Sequence, residues 1–262
     1  MAIFHLLKRV FFLIFIVRNL VAIEPTGLPV NSNTIADNNK IPPHHLMEMQ
    51  RRHPDCEFLN QLILNYDVFL KIYTNCSSQF LRGCGSYLFD GQHYDYCEKM
   101  YEKQKLLFES AKKCSAVLEI GVYMGHSLFI ILLANPGIEI TCIDIDSRYA
   151  NPAIKILEEK FNKKITFIQG NSLDILPSLD KKFDLFHIDG CHNGEIVKME
   201  FFECIKKMRK IEGFFVIDDY DNYPQYIHDL LNTNPIYTVV NVIKPNCSWP
   251  NIGIGIHLKN QN

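Results

Sequence analysis

From Ala116 to the C-terminus the chain repeats one unit: a short apolar run, a turn, then a longer stretch with helical spacing. "AVLEIG" leads into "HSLFIILLAN", "EITCIDID" into "NPAIKILEEKFN", and "ITFIQGN" into the short "LDILPSL". "FDLFHIDG" then leads into "EIVKMEFFECIKKMRK", and "FFVIDD" into "YPQYIHDLLNT". Short apolar runs bounded by turn residues read as buried strands, and the stretches between them as helices. Strands joined through helices lie parallel, with helices on both faces of the sheet. The last two runs, "YTVVNVI" and "IGIGIHLK", have only a loop between them, so they pair antiparallel. The expectation is an α/β fold: a doubly wound sheet of about seven strands, mostly parallel, with an antiparallel final strand.

A helical segment precedes this unit. Residues 55–113 carry helical spacing in "EFLNQLILNYDVFLKIY" and "YCEKMYEKQKLLFESAKK", separated by the loop "RGCGSYLFDGQHYD". Residues 24–54, rich in Asn and Pro, read as a linker or disordered segment. Residues 1–23 place Lys8 and Arg9 before the apolar run Val10–Val17, which is shorter than the about 20 residues a bilayer span needs. They read as a signal peptide or signal anchor, with Arg18 awkward for both, or as a membrane-surface helix. The domain organisation expected is therefore 1–23, 24–54, a helical N-terminal cap at 55–113, and the α/β domain at 114–262.

The compartment follows from these cues. "NCS" at Asn75–Ser77 and at Asn246–Ser248 is a glycosylation acceptor pattern for a chain that enters the secretory pathway. Of nine cysteines, Cys56, Cys76, Cys84 and Cys97 cluster before the α/β domain and suit two disulfides in an oxidising compartment. The expected location is the secretory pathway, secreted or membrane-anchored, with a cytoplasmic chain as the alternative. The net charge of −2, without a basic stripe interleaved with aromatics, gives a nucleic-acid partner no electrostatic footing. The partners expected are a small-molecule substrate, the membrane through residues 1–23, and a second copy of the chain.

Several strands end in acids. Glu119, Asp144, Asp189 and the pair Asp218 and Asp219 all fall at the C-terminal ends of predicted strands, and so on one rim. Open α/β sheets bind ligands at that rim. Clustered carboxylates repel one another and resist burial, and a ligand or cation offsets that cost. In the first turn, "EIGVYMGHS", Gly121 and Gly125 let the backbone bend and approach a ligand. A dinucleotide site wants a second glycine where Tyr123 stands, so a cofactor without phosphate fits better. Asp144, 23 residues beyond Gly121, either accepts bonds from ribose hydroxyls or caps the following helix.

Residues 116–222 resemble the class I S-adenosylmethionine-dependent methyltransferases, whose fold is Rossmann-like. They are closest to the metal-dependent catechol-type and sugar O-methyltransferases, whose glycine-rich turn "EIGVYMGHS" reproduces. The resemblance implies that Gly121, Tyr123 and Ser127 hold the methionine end of S-adenosyl-L-methionine, with Glu119 shaping the turn and Gly125 closing it. It implies Asp144 on the ribose, and Ser172 and Leu173 at the adenine edge. It implies that Asp189, Asp218 and Asp219 bind Mg²⁺ or another divalent cation, as a hard ion surrounded by oxygens would be. His192 stands where the catechol-type enzymes carry a lysine base, and an ordinary histidine exchanges protons near neutral pH. The function implied is Mg²⁺-assisted O-methylation of a small hydroxylated molecule, a vicinal diol, catechol or sugar. The alternative is a non-catalytic or differently reacting cofactor-binding protein of the same fold.

Overall fold

The computed structural model describes residues 42–232 and 234–259. The expected signal segment 1–23 and the first part of the expected linker lie outside those residues. Among these residues four α-helices precede the sheet: α1 (His44–Arg52), α2 (Glu57–Leu64), α3 (Tyr66–Asn75) and α4 (Tyr101–Ala111). The alternating region follows as β1 (Ala116–Ile120), α5 (His126–Ala134), β2 (Glu139–Asp144), α6 (Ser147–Phe161), β3 (Thr166–Gln169) and α7 (Ser172–Ile175). It continues as β4 (Leu185–Ile188), α8 (Gly194–Ile205), β5 (Glu212–Ile217) and α9 (Pro224–Leu231), and closes with β6 (Tyr237–Ile243) and β7 (Ile252–Leu258).

The seven strands are ordered β3-β2-β1-β4-β5-β7-β6. The first five run parallel; β7 pairs antiparallel with β5 on one side and with β6 on the other. The β6–β7 register slips between Val239 and Asn241, leaving Val240 as an extra residue in the edge strand. The order reverses between β1 and β4, where the connections diverge to opposite sides, the place at which open α/β sheets bind ligands.

Both faces of the sheet are covered, and the period of two sorts the side chains. Val117, Leu185 and Val216 join a core built with α1 to α6, while Leu118, Phe186 and Phe215 join one built with α8 and α9. Glu119, His187 and Asp218 therefore face the same side as Val117, Leu185 and Val216, toward the N-terminal helices. Helix α5 is buried from His126 to Leu133, as a helix apolar on nearly every side must be.

The helices before the sheet are not a separate unit. Phe58, Phe69 and Phe108 belong to the same core as Val117 and Val216. Part of the segment read as a linker is also ordered: α1 falls within 24–54 and buries Leu46 and Met49. Those two apolar residues are three apart, one turn of helix, and they suffice to dock a nine-residue helix whose other positions, apart from Met47, are polar. The expected disulfides are absent. Cys56, Cys76, Cys84 and Cys97 are free thiols in different surroundings. Cys56 accepts a hydrogen bond from the Tyr101 hydroxyl at 3.2 Å, and Cys76 points at the Tyr149 carbonyl.

Candidate active site

The turn after β1 is clasped by the end of β2. Asp144 Oδ2 accepts from the Val122 and Tyr123 N–H groups at 2.7 and 2.9 Å, and Oδ1 accepts from the Asp146 N–H at 2.8 Å. Asp146, not Asp144, caps α6 by accepting from the Arg148 N–H. Gly121 (φ +89°) and Gly125 (φ +66°) take the left-handed backbone that glycine allows. Tyr123 (φ +45°) takes it too, which is rare for a bulky residue. Its hydroxyl accepts the Leu81 N–H at 2.8 Å, so the ring is tied to the N-terminal segment.

Glu119 and Ser127 are both buried and paired, Ser127 Oγ donating to Glu119 Oε1 at 2.6 Å. The implied contact of Ser127 with a cofactor therefore competes with this bond. Beyond Glu119 a buried polar chain crosses the sheet. Glu119 and His187 are register partners on β1 and β4, and Glu119 Oε2 lies 3.3 Å from His187 Nδ1. His187 Nε2 is 2.8 Å from the Tyr87 hydroxyl. Asn251 donates to that hydroxyl at 3.1 Å, and the hydroxyl donates to Asp218 Oδ1 at 3.2 Å. Asp218 Oδ2 accepts from Lys103 Nζ at 2.9 Å.

The acids at the ends of β4 and β5 are indeed brought together, but around an ammonium. The Lys103 side chain is 4% exposed, and its Nζ lies 4.0 Å from Asp219 Oδ1 as well. Burial alone would lower the Lys103 ammonium; Asp218 and Asp189 outweigh it and hold it above its ordinary value. Burial pushes the Asp189 carboxyl well above the usual carboxylate range, with Asp218 adding to the shift and Lys103 opposing it. Asp219 is raised by burial and by Asp218, against Lys103 and His192.

These residues do not fit the divalent cation that the resemblance implies. Both Asp218 oxygens already have partners. Among the described residues no three His, Cys, Asp or Glu side chains converge as ligands would. Two unit charges 4 Å apart interact by about 4 kcal/mol at an effective dielectric of 20, so a divalent ion beside this ammonium would meet about twice that repulsion.

His192 follows the end of β4, 46% exposed, with Nδ1 3.5 Å from Asp219 Oδ2. The next residue, Asn193, caps α8 by accepting from the Glu195 and Ile196 N–H groups, which fixes the backbone beside the imidazole. Asp219 (φ +47°) sits in the left-handed region where the chain turns sharply out of β5. Ser172 donates to Glu200, whose carboxyl is pushed up to about 7 by burial, and the Leu173 N–H donates to the cap residue Asn171.

Lys103 and Tyr87 escape the sequence reading. Their signal is faint: Lys103 and Gln104 sit on the stripe of α4 that also buries Leu107, Phe108 and Ala111. A lysine on an apolar stripe is almost never fully buried unless paired.

Comparison with known proteins agrees with this geometry. Residues 118–220 match the family model described as a methyltransferase domain. A tapetum-specific methyltransferase of Arabidopsis thaliana is 31% identical over 108 residues, 39% of this chain and 45% of that protein. A tRNA (guanine-N(7)-)-methyltransferase of Shewanella woodyi is 25% identical over 137 residues, 48% of this chain and 58% of that protein. The chain thus spans about half the length of the curated relatives it matches. An O-methyltransferase from Bacillus cereus, solved with S-adenosylhomocysteine, superposes with a TM-score of 0.53 at 16% identity, over 73% of this chain and 90% of that one. The fold is that of the class I S-adenosylmethionine-dependent methyltransferases, and residues 118–220 match a methyltransferase domain.

Proposed function

We propose that this chain, which carries a class I methyltransferase domain, transfers a methyl group from S-adenosylmethionine to a hydroxyl of a small molecule such as a vicinal diol, a catechol or a sugar. The observation that carries the reading is the clasp of Asp144 on the β1–α5 turn, at the same end of the sheet as His192, which follows β4. Asp144 is half-buried, and its oxygens keep lone pairs beyond the three N–H bonds they accept, enough to receive ribose hydroxyls. Arg148, the nearest arginine in sequence, is committed to Asp146 and gives a phosphate no partner. Ser172 and Leu173 would border the base, and the turn from Gly121 to Gly125 would border the methionine end. When bound, S-adenosylmethionine supplies a methyl group on a positively charged sulfonium.

The chain's own part is to align a hydroxyl and take its proton. His192 Nδ1 faces Asp219, which favours the tautomer that leaves Nε2 as the accepting atom. Its exposure lets it meet a substrate entering from solvent. Asp219 lies beside the imidazole, and holding the alignment supplies much of the rate. Location in the secretory pathway is part of the same proposal, supported by the character of residues 1–23 and by the exposure of Asn75 and Asn246.

Calorimetry of the full chain with S-adenosylmethionine, S-adenosylhomocysteine and NADH tests the reading, followed by methyl-transfer assays against catechols, vicinal diols and sugars. Binding of the methyl donor and its product supports it. Binding of NADH alone overturns it.

A further inference from the structure

We propose that Lys103 is a built-in counter-cation for the strand-end carboxylates, holding the position a divalent ion would take, so that this rim works without metal. The inference gives the proposed methyl-transfer site its charge balance and rests on that reading for its meaning, though the ion pair exists independently of it.

The lysine is placed, not incidental. It sits on the buried stripe of α4, and its Nζ donates to Asp218 at 2.9 Å and lies 4.6 Å above the Tyr87 ring. Its backbone carbonyl accepts from Asn251 Nδ2 at 3.3 Å, tying this turn of α4 to the start of β7. The neighbouring Gln104 donates to the carbonyls of Tyr87 and Cys97 at 2.6 and 3.2 Å and accepts from the Tyr96 hydroxyl at 2.9 Å. The helix therefore cannot rotate Lys103 out without breaking a buried network. Asp218 has its other oxygen on the Tyr87 hydroxyl, so the carboxylate is held from two sides by groups of the N-terminal segment. A buried ion pair stripped of one partner leaves an uncompensated charge, which a proton or a small cation can offset. The proposal is reciprocal: this site excludes a divalent ion while Lys103 is present and accepts one when it is gone.

The test is titration of the full chain with Mn²⁺, read by electron paramagnetic resonance and by melting temperature, at constant ionic strength with and without chelator. Wild type is expected to show no saturable site and no chelator effect. Lys103→Met should gain Mn²⁺ affinity by about tenfold or more, the direction expected when a neighbouring like charge is removed. That gain should vanish again in Lys103→Met with Asp218→Asn. Should the methionine variant not fold, Lys103→Gln, which keeps a donor toward Asp218, carries the same comparison. Stoichiometric Mn²⁺ binding to wild type that Asp218→Asn abolishes overturns the proposal, as does a Lys103 variant that gains nothing. S-adenosylmethionine binding measured on the same samples separates this outcome from failure of the methyl-transfer reading.

Discussion

A Cβ placed on Gly121 would lie 2.2 Å from the carbonyl oxygen of Asp189. The turn after β1 and the end of β4 touch backbone to backbone, with Gly121 at φ +89°. The glycine that suggested close approach to a ligand is thus also needed for close approach between two strand ends.

Gly121→Ala combines left-handed strain with a clash against main chain that cannot rotate away. Strain costs about 1–3 kcal/mol and overpacking a further 1–3. A loss of about 2–6 kcal/mol is expected, visible as a lower urea midpoint at unchanged slope. Stability equal to wild type would mean that the two strand ends are not in contact.

Asp144→Ala should weaken S-adenosylmethionine binding by about 1–3 kcal/mol, the scale of leaving polar partners unpaired. The same change frees the Val122 and Tyr123 N–H groups, so a modest fall in melting temperature should accompany it. Calorimetry showing undiminished affinity would remove Asp144 from the cofactor site.

For His192→Ala, methyl transfer should fall by roughly 10²–10⁴-fold, the range of general-base catalysis, with cofactor binding unchanged. The imidazole is half exposed and touches only Asp219 among the charged groups recorded for it, so the fold should tolerate its removal. A fully active variant on the true substrate would rule out the base.

Acid stability should depend on His126. This imidazole is wholly buried, 2.8 Å from the Tyr94 hydroxyl among the rings of Phe69 and Phe89, and desolvation pulls it down to about 3. The folded chain keeps it neutral, while the unfolded chain protonates it below about 6.5. Its contribution is therefore complete above that pH and is lost as pH falls toward 3, by at most about 5 kcal/mol for a gap of some 3.5 units. His126→Gln should flatten the decline in stability between those limits. Urea melts at a series of pH values would expose an unchanged slope.

Expression in a secretory host should place glycan on Asn75 or Asn246, both exposed, the first at the end of α3. Peptide mass spectrometry reads this directly. Bare asparagines on secreted material would withdraw the sequons, and failure to be secreted would withdraw the leader.

The succession of strands and helices and the acidic rim were legible because they depend on local patterns. Apolar runs joined by amphipathic stretches dictate a parallel sheet, and Asp189 and Asp218 follow directly on their strands. What surrounds those acids was not legible. Lys103 lies 115 residues from Asp218, and Tyr87 lies 131 away in a stretch with no periodicity. Nothing in the local spacing of either residue says which distant strand it will meet. The α1 helix was hidden for a different reason: with two buried residues its apolar signal is weaker than the proline and histidine around it.

The slipped register at Val239–Asn241 has a bearing on how copies of this chain meet. Among the described residues strand β6 forms one of the two margins of the sheet, and Val240, Val242 and Ile243 are exposed along it. A straight margin of that composition would offer a second chain an even row of donors and acceptors, the start of edge-to-edge growth. The extra residue breaks that row in its middle and increases the local twist. An incoming strand could match the row on one side of Val240 or the other, but not both. Growth along this margin is therefore limited to a few residues, which lets the strand stay greasy without becoming a template.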